Sequence, residues 1–161
     1  MDEIKFKAIG IIHTPFPEPV GVPIQSIAGK GIEGTIEIFE EFEEGLSDTE
    51  GFSHLQLIFY LHKAWKSDLK VIPFMDEVYR GVFSTRSPNR PNPIGLSIVE
   101  LVKRDKNILY IRDLDIVDGT PLLDIKPYIP ESDIRKTDRI GWLKNKIDKM
   151  TDLRDDGRFT K

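Results

Sequence analysis

A mainly β domain, mostly antiparallel and closed as a barrel with few short helices, is the fold the sequence predicts. Three observations carry that expectation. Apolar residues recur at period two in several runs. The alternating strand–helix pattern of doubly wound folds is missing. Helical spacing of apolar residues occurs convincingly only near the C-terminus.

The strands follow in order. Phe6 to His13 opens the set. Ile32, Gly34, Ile36 and Ile38 then alternate with Glu33, Thr35, Glu37 and Phe39. Leu55, Leu57, Phe59 and Leu61 do the same against Gln56, Ile58, Tyr60 and His62. Tyr79 to Ser84, Leu96 to Val102 and Ile108 to Leu114 are further β-branched, strand-length runs. The polar run Lys103 to Asn107 reads as a hairpin connection. Ser47 to Glu50 reads as the cap of a short helical turn. Ile140, Leu143, Ile147 and Met150, with Lys144, Lys146 and Lys149 between them, predict a C-terminal amphipathic helix. The expected organisation is one domain over residues 1–150, with 151–161 as a flexible tail.

The 161 residues are 39% hydrophobic and 31% charged, enough for one core. The net charge of −4 argues against a protein that coats nucleic acid nonspecifically, which needs many phosphate contacts. Cysteine is absent, so disulfides, thiolate metal sites and thiol chemistry are excluded. His13, His54 and His62 form no metal-ligand spacing, and no metal is expected. No signal-peptide pattern or membrane-length apolar run is read, so a cytoplasmic protein is expected.

Two stretches are richer in proline and polar groups than connectors require. Thr14 to Gln25 is one and Ser84 to Gly95 the other. Proline fixes φ and extends its predecessor, so each loop is stiff. A stiff loop carrying Arg86, Asn89, Arg90 and Asn92 presents polar groups at low entropic cost, although a rigid solvent-facing connection has the same composition. Gly29-Lys30-Gly31-Ile32-Glu33-Gly34 only loosely resembles a phosphate loop and leads into a strand. Serine-hydrolase spacing is also missing around Ser84, Ser87 and Ser97.

Four segments carry a resemblance. They are Ile9 to Phe16, the run from Gly51-Phe52-Ser53-His54-Leu55 to His62-Lys63, T-R-S-P-N-R-P-N-P-I-G-L-S at Thr85 to Ser97, and D-G-T-P-L-L-D-I-K-P-Y-I-P at Asp118 to Pro130. Together, across about Phe6 to Trp142, the chain resembles the TsaA/TrmO family. The resemblance implies a single-sheeted, YaeB-like antiparallel barrel that works as a homodimer. It also implies N6-methylation of N6-threonylcarbamoyladenosine (t6A) beside the anticodon of tRNA, with threonine tRNA expected and S-adenosyl-L-methionine (SAM) as methyl donor.

For the cofactor, the resemblance implies Pro23, Ile24, Gln25, His62, Lys63, Arg86, Leu96 and the Asp118-Gly119-Thr120-Pro121 turn. Ile24 stands where relatives often carry arginine. Proton acceptance falls to Asn92 or Asp118, with His62 as rival, while both Asn92 and Asp118 also suit turn closure. Arg80, Arg90 and Lys126, with Arg86, Lys103 and Arg104, are the expected tRNA contacts. Two other readings stand beside this one: a SAM- or nucleotide-binding dimeric barrel without catalysis, and a methyltransferase acting on a small molecule.

Overall fold

The computed structural model describes residues 3–160, and Met1, Asp2 and Lys161 lie outside the described residues. The strands are β1 (Gly10–His13), β2 (Glu33–Ile38), β3 (His54–Tyr60), β4 (Lys70–Val71), β5 (Arg80–Gly81), β6 (Ile94–Asp105), β7 (Ile108–Arg112) and β8 (Thr120–Pro127). Six of them close a barrel in the order β1-β2-β7-β6-β3-β8, and β4 and β5 form a separate ribbon. Every barrel pairing is antiparallel.

Period-two alternation becomes an inside and an outside. Along β6, Ser97, Val99 and Leu101 are buried while Ile94, Leu96 and Val102 are exposed. Ile12, Ile36, Ile38, Leu55, Leu57, Leu109 and Leu122 fill the interior, with Leu114 and Ile116 joining the same cluster. Gly29 and Gly95 are among the glycines that allow close approaches in this packing. A Cβ on Gly29 would meet the Leu114 carbonyl oxygen at 2.0 Å, and one on Gly95 would meet the Phe59 ring at 2.2 Å.

Several expectations need correction. The run from Phe6 contributes only Gly10–His13 as strand. Tyr79 to Ser84 gives a two-residue strand and then a 3-10 turn at Val82–Ser84. The Ser84 hydroxyl donates to the Gly81 carbonyl and the Thr85 hydroxyl to the Val82 carbonyl, each at 2.8 Å, which turns the chain out of extended geometry. The β6–β7 hairpin is tighter than predicted, because Lys106 adopts φ 54° and Asp105 pairs directly with Ile108. The helical turn expected at Ser47 to Glu50 is 3-10 over Thr49–Gly51, preceded by a longer 3-10 segment at Glu40–Leu46.

The C-terminal amphipathic helix does not form. Gly141–Leu143 and Ile147–Lys149 are separate 3-10 turns. Gly141 (φ 59°) and Asn145 (φ 69°) are left-handed, which an α-helix does not accommodate. Nor do residues 151–160 leave the domain. Backbone bonds join Gly21 N–H to the Asp155 carbonyl and Asp155 N–H to the Val22 carbonyl, both at 2.8 Å. Phe159 is buried with Val71 and Val82. Among the described residues, no helix is long and apolar enough to cross a membrane.

Candidate active site

Antiparallel closure sends particular chain segments to one rim. β1, β3 and β7 end there, while β2, β6 and β8 begin there. The loops they carry are 14–32, 61–69, 82–93 and 113–119, so both stiff proline-rich stretches reach the same rim. The C-terminal segment joins them through the Pro23–Arg154 bridge.

Between these loops lies a two-lobed cleft. The first lobe has a cavity volume of about 140 Å3. Pro23, Ile24, His62, Lys63, Arg86 and Thr120 line it. The second lobe, of about 400 Å3, receives Gln25 along with Ile24 and Arg86. Seven of the residues implied for the cofactor thus converge although they span almost one hundred positions of sequence. Leu96, Asp118, Gly119 and Pro121 line neither lobe among the described residues. Leu96 is on the outer barrel face and is exposed.

Arg86 is placed by its loop. The Arg90 guanidinium donates to the Thr85 and Ser87 carbonyls at 3.3 and 3.4 Å, clamping the backbone on both sides of it. Its own guanidinium donates to the Gln25 side-chain oxygen. Facing it is Asp115, which accepts from the Ser97 hydroxyl at 2.5 Å. Burial pushes the Asp115 carboxyl up to about 6, opposed by the Ser97 bond and, more weakly, by the Arg86 charge. Lys63 pairs with Glu18 at 3.2 Å across the mouth.

His62 has a definable tautomer. The Thr120 hydroxyl donates to the Val117 carbonyl at 2.7 Å, so its single proton is committed there. His62 Nδ1 stands 3.2 Å from the same oxygen and is therefore the donor of that pair. The neutral ring then keeps Nε2 as an acceptor. Burial, and then the Lys63 charge, lower the imidazole pKa, against weaker upward pulls from Glu18 and Asp118. The ring is accordingly neutral at pH 7.

The other expected residues have visible structural partners. Asp118 accepts the Thr14 N–H at 2.9 Å, and the Asn92 carbonyl accepts the Ile94 N–H at 2.8 Å. Neither side chain lines the cleft. Arg80 is paired with Asp76 at 2.9 Å and Lys126 with Asp124 at 2.8 Å. The six expected tRNA-contacting cations do not share one surface. Lys103 and Arg104 sit at the β6–β7 hairpin, at the opposite end of the barrel from Arg86. Among the described residues, no cluster of three His, Asp or Glu side chains is placed to hold a metal.

Sequence reasoning missed Asp115, Asp155, Phe74 and Phe159, all of which line the first lobe. For Asp115 a signal existed. Asp115 sits between the buried Leu114 and Ile116, so a carboxylate interrupts an apolar pair.

A closed antiparallel sheet whose loop-bearing rim gathers a charged, partly apolar cleft defines a ligand-binding β-barrel, not a nucleotide-binding α/β sheet. Residues 11–134 match the tRNA-methyltransferase O N-terminal domain, and the chain belongs to that family. It is 60% identical over 156 residues to a probable S-adenosyl-L-methionine-binding protein of Pyrococcus abyssi, covering 97% of this chain and 85% of that one. It is 37% identical over 140 residues to the tRNA (adenine(37)-N6)-methyltransferase of Escherichia coli, covering 81% and 60%. The solved structure of TrmO from Pseudomonas aeruginosa superposes with a TM-score of 0.73 at 34% identity, covering 88% of this chain and 63% of that one. The chain thus spans less than two thirds of these last two proteins.

Proposed function

We propose that this chain is a SAM-dependent tRNA methyltransferase that methylates N6 of an adenosine beside the anticodon. The substrate base is t6A and the favoured acceptor is threonine tRNA. One observation supports the reading: seven of the eleven residues implied for the cofactor, scattered from Pro23 to Thr120, line one cleft. The names of the Pyrococcus and Escherichia coli relatives support it.

The donor set fits SAM. Arg86 and Lys63 offer cations for an α-carboxylate. Asp115 and Asp155 offer carboxylates for an ammonium and a sulfonium, and Phe59, Leu61, Ile116 and Val117 supply apolar wall. SAM bound there supplies an electrophilic methyl carbon. The protein's own part is positioning, exclusion of water and removal of one proton. The His62 tautomer leaves Nε2 free to accept the proton that the substrate amine loses.

The protein works as a homodimer in this reading. Tyr60, Ile94 and Leu96 form an exposed apolar stripe on adjoining strands of the outer face, with Tyr60 directly opposite Ile94. A partner copy covering that stripe also covers Leu96. The cytoplasm, where tRNA is modified, is the expected compartment.

Calorimetric titration with SAM tests the cleft. Arg86→Ala is expected to weaken binding at least ten-fold, the size of a lost charge-assisted bond of about 1.5–3 kcal/mol. Lys126→Ala, on the outer wall, is expected to leave it unchanged. Equal SAM affinity in wild type and Arg86→Ala refutes the assignment of the site.

A further inference from the structure

The second lobe is barely touched by the segments implied for the cofactor, and its lining is of another kind. Phe74, Phe83, Trp142 and Phe159 bring aromatic rings to it, and Met75 and Met150 bring thioethers. Trp142, Met150 and Phe159 lie beyond the matched residues 11–134. Ile24, Phe74, Arg86 and Phe159 line both lobes, which therefore adjoin.

Trp142 is held in place. Its Nε1 donates to the Ser84 carbonyl at 2.8 Å. Arg80 and Lys146 stand 5.9 and 5.5 Å from the indole ring centroid. Both cations are tied to Asp76, at 2.9 and 2.8 Å. An indole fixed this way loses little freedom when a flat ligand lies on it. Arg80 acts here through the tryptophan, by orienting it. Phe83, beside Ser84, is 76% exposed and unusually open for a phenylalanine.

We propose that the second lobe seats the nucleobase that is methylated, with Trp142 and Phe83 as its stacking surfaces. The inference rests on the tRNA-methyltransferase reading above. Bases of an unpaired RNA loop are bound by stacking on aromatic side chains once they leave their own stack. A purine in this lobe directs an exocyclic amine toward Arg86 and the first lobe, where the implied cofactor segments meet. The adenine of the cofactor is the competing occupant. The implied cofactor segments contribute only Ile24, Gln25 and Arg86 to this lobe, and most of its wall comes from elsewhere.

The chain has two tryptophans, Trp65 and Trp142, so Trp65→Phe leaves Trp142 as the sole indole reporter. That protein, saturated with S-adenosylhomocysteine, is titrated with an anticodon stem–loop RNA carrying t6A. The same stem–loop with an abasic target position is the control. The expected result is saturable quenching of Trp142 by the t6A RNA and at least five-fold less by the abasic RNA. Phe83→Ala, at an exposed position that does not threaten folding, is expected to weaken t6A RNA binding about five-fold or more. Its S-adenosylhomocysteine affinity is expected to stay within two-fold. Full quenching by S-adenosylhomocysteine alone, or equal quenching by the two RNAs, overturns the assignment. Either of these outcomes in a protein that methylates t6A tRNA removes only the lobe's role. Base-dependent quenching in a protein that transfers no methyl group removes the methyltransferase reading and keeps a base-binding lobe.

Discussion

Replacing Asp115 with asparagine separates what the cleft costs in stability from what it does. The carboxyl is raised from 3.8 to about 6 by burial. The folded protein therefore binds a proton more tightly than the unfolded chain does. The stability this gives is fully present below about pH 4 and is lost as pH rises through 6. At pH 8 the ionised carboxylate is a penalty. Two pKa units correspond to about 3 kcal/mol, and solvent at a half-buried side chain relaxes part of it, leaving roughly 1–2 kcal/mol. Asparagine keeps an oxygen to accept the Ser97 hydroxyl and carries no charge. Asp115→Asn should thus raise Tm by about 2–8 °C at pH 8 and by nothing measurable at pH 4. Thermal unfolding of both proteins at the two pH values is the assay. A variant less stable than wild type at pH 8, or one whose gain is the same at both pH values, refutes the reasoning. The same variant should bind SAM more weakly, since a destabilising carboxylate kept in a cleft serves a cationic ligand.

Other outcomes follow from the packing and from His62. Gly29→Ala should destabilise by about 2 kcal/mol or more, because the clash is with the Leu114 backbone carbonyl, which chemical denaturation will register. Gly95→Ala should cost less, since the obstacle is the Phe59 ring, although that ring is itself buried. Leu122→Ala empties a fully buried position between β1 and β3 and should cost about 2–5 kcal/mol by the same assay. The lowered pKa of His62 predicts that the acid limb of the methyl-transfer rate falls below pH 6.5, and that His62→Ala loses about 10²–10⁴-fold in rate even at saturating SAM.

The barrel was legible because alternation leaves a direct physical trace. β2, β3, β6 and β7 each present apolar residues on every second position. β8 escaped notice because Pro121, Asp124 and Pro127 break the pattern. The strand tolerates Pro127 near its end, where ladder donors matter least. The C-terminal region was misread for a different reason. Apolar spacing at 140, 143, 147 and 150 is helical, but Gly141 and Asn145 take left-handed conformations, and the segment is organised by Trp142 and Lys146 reaching Ser84 and Asp76. Tertiary anchoring overrode local periodicity. At the candidate site, Arg86, His62 and Lys63 were expected from a resemblance that names segments, not from any feature of composition. Asp155 and Phe159 lie outside that resemblance and became visible only when the chain folded back on the Val20–Ile24 loop.

The central claim is methyl transfer to a modified adenosine, and labelled SAM with threonine tRNA tests it directly. Two tRNA preparations are compared, one carrying t6A and one lacking it, with mass spectrometry of the digested nucleosides. The account predicts N6-methylated t6A from the first preparation and no methylated adenosine from the second. No transfer to either tRNA, by a folded protein that binds SAM, contradicts it.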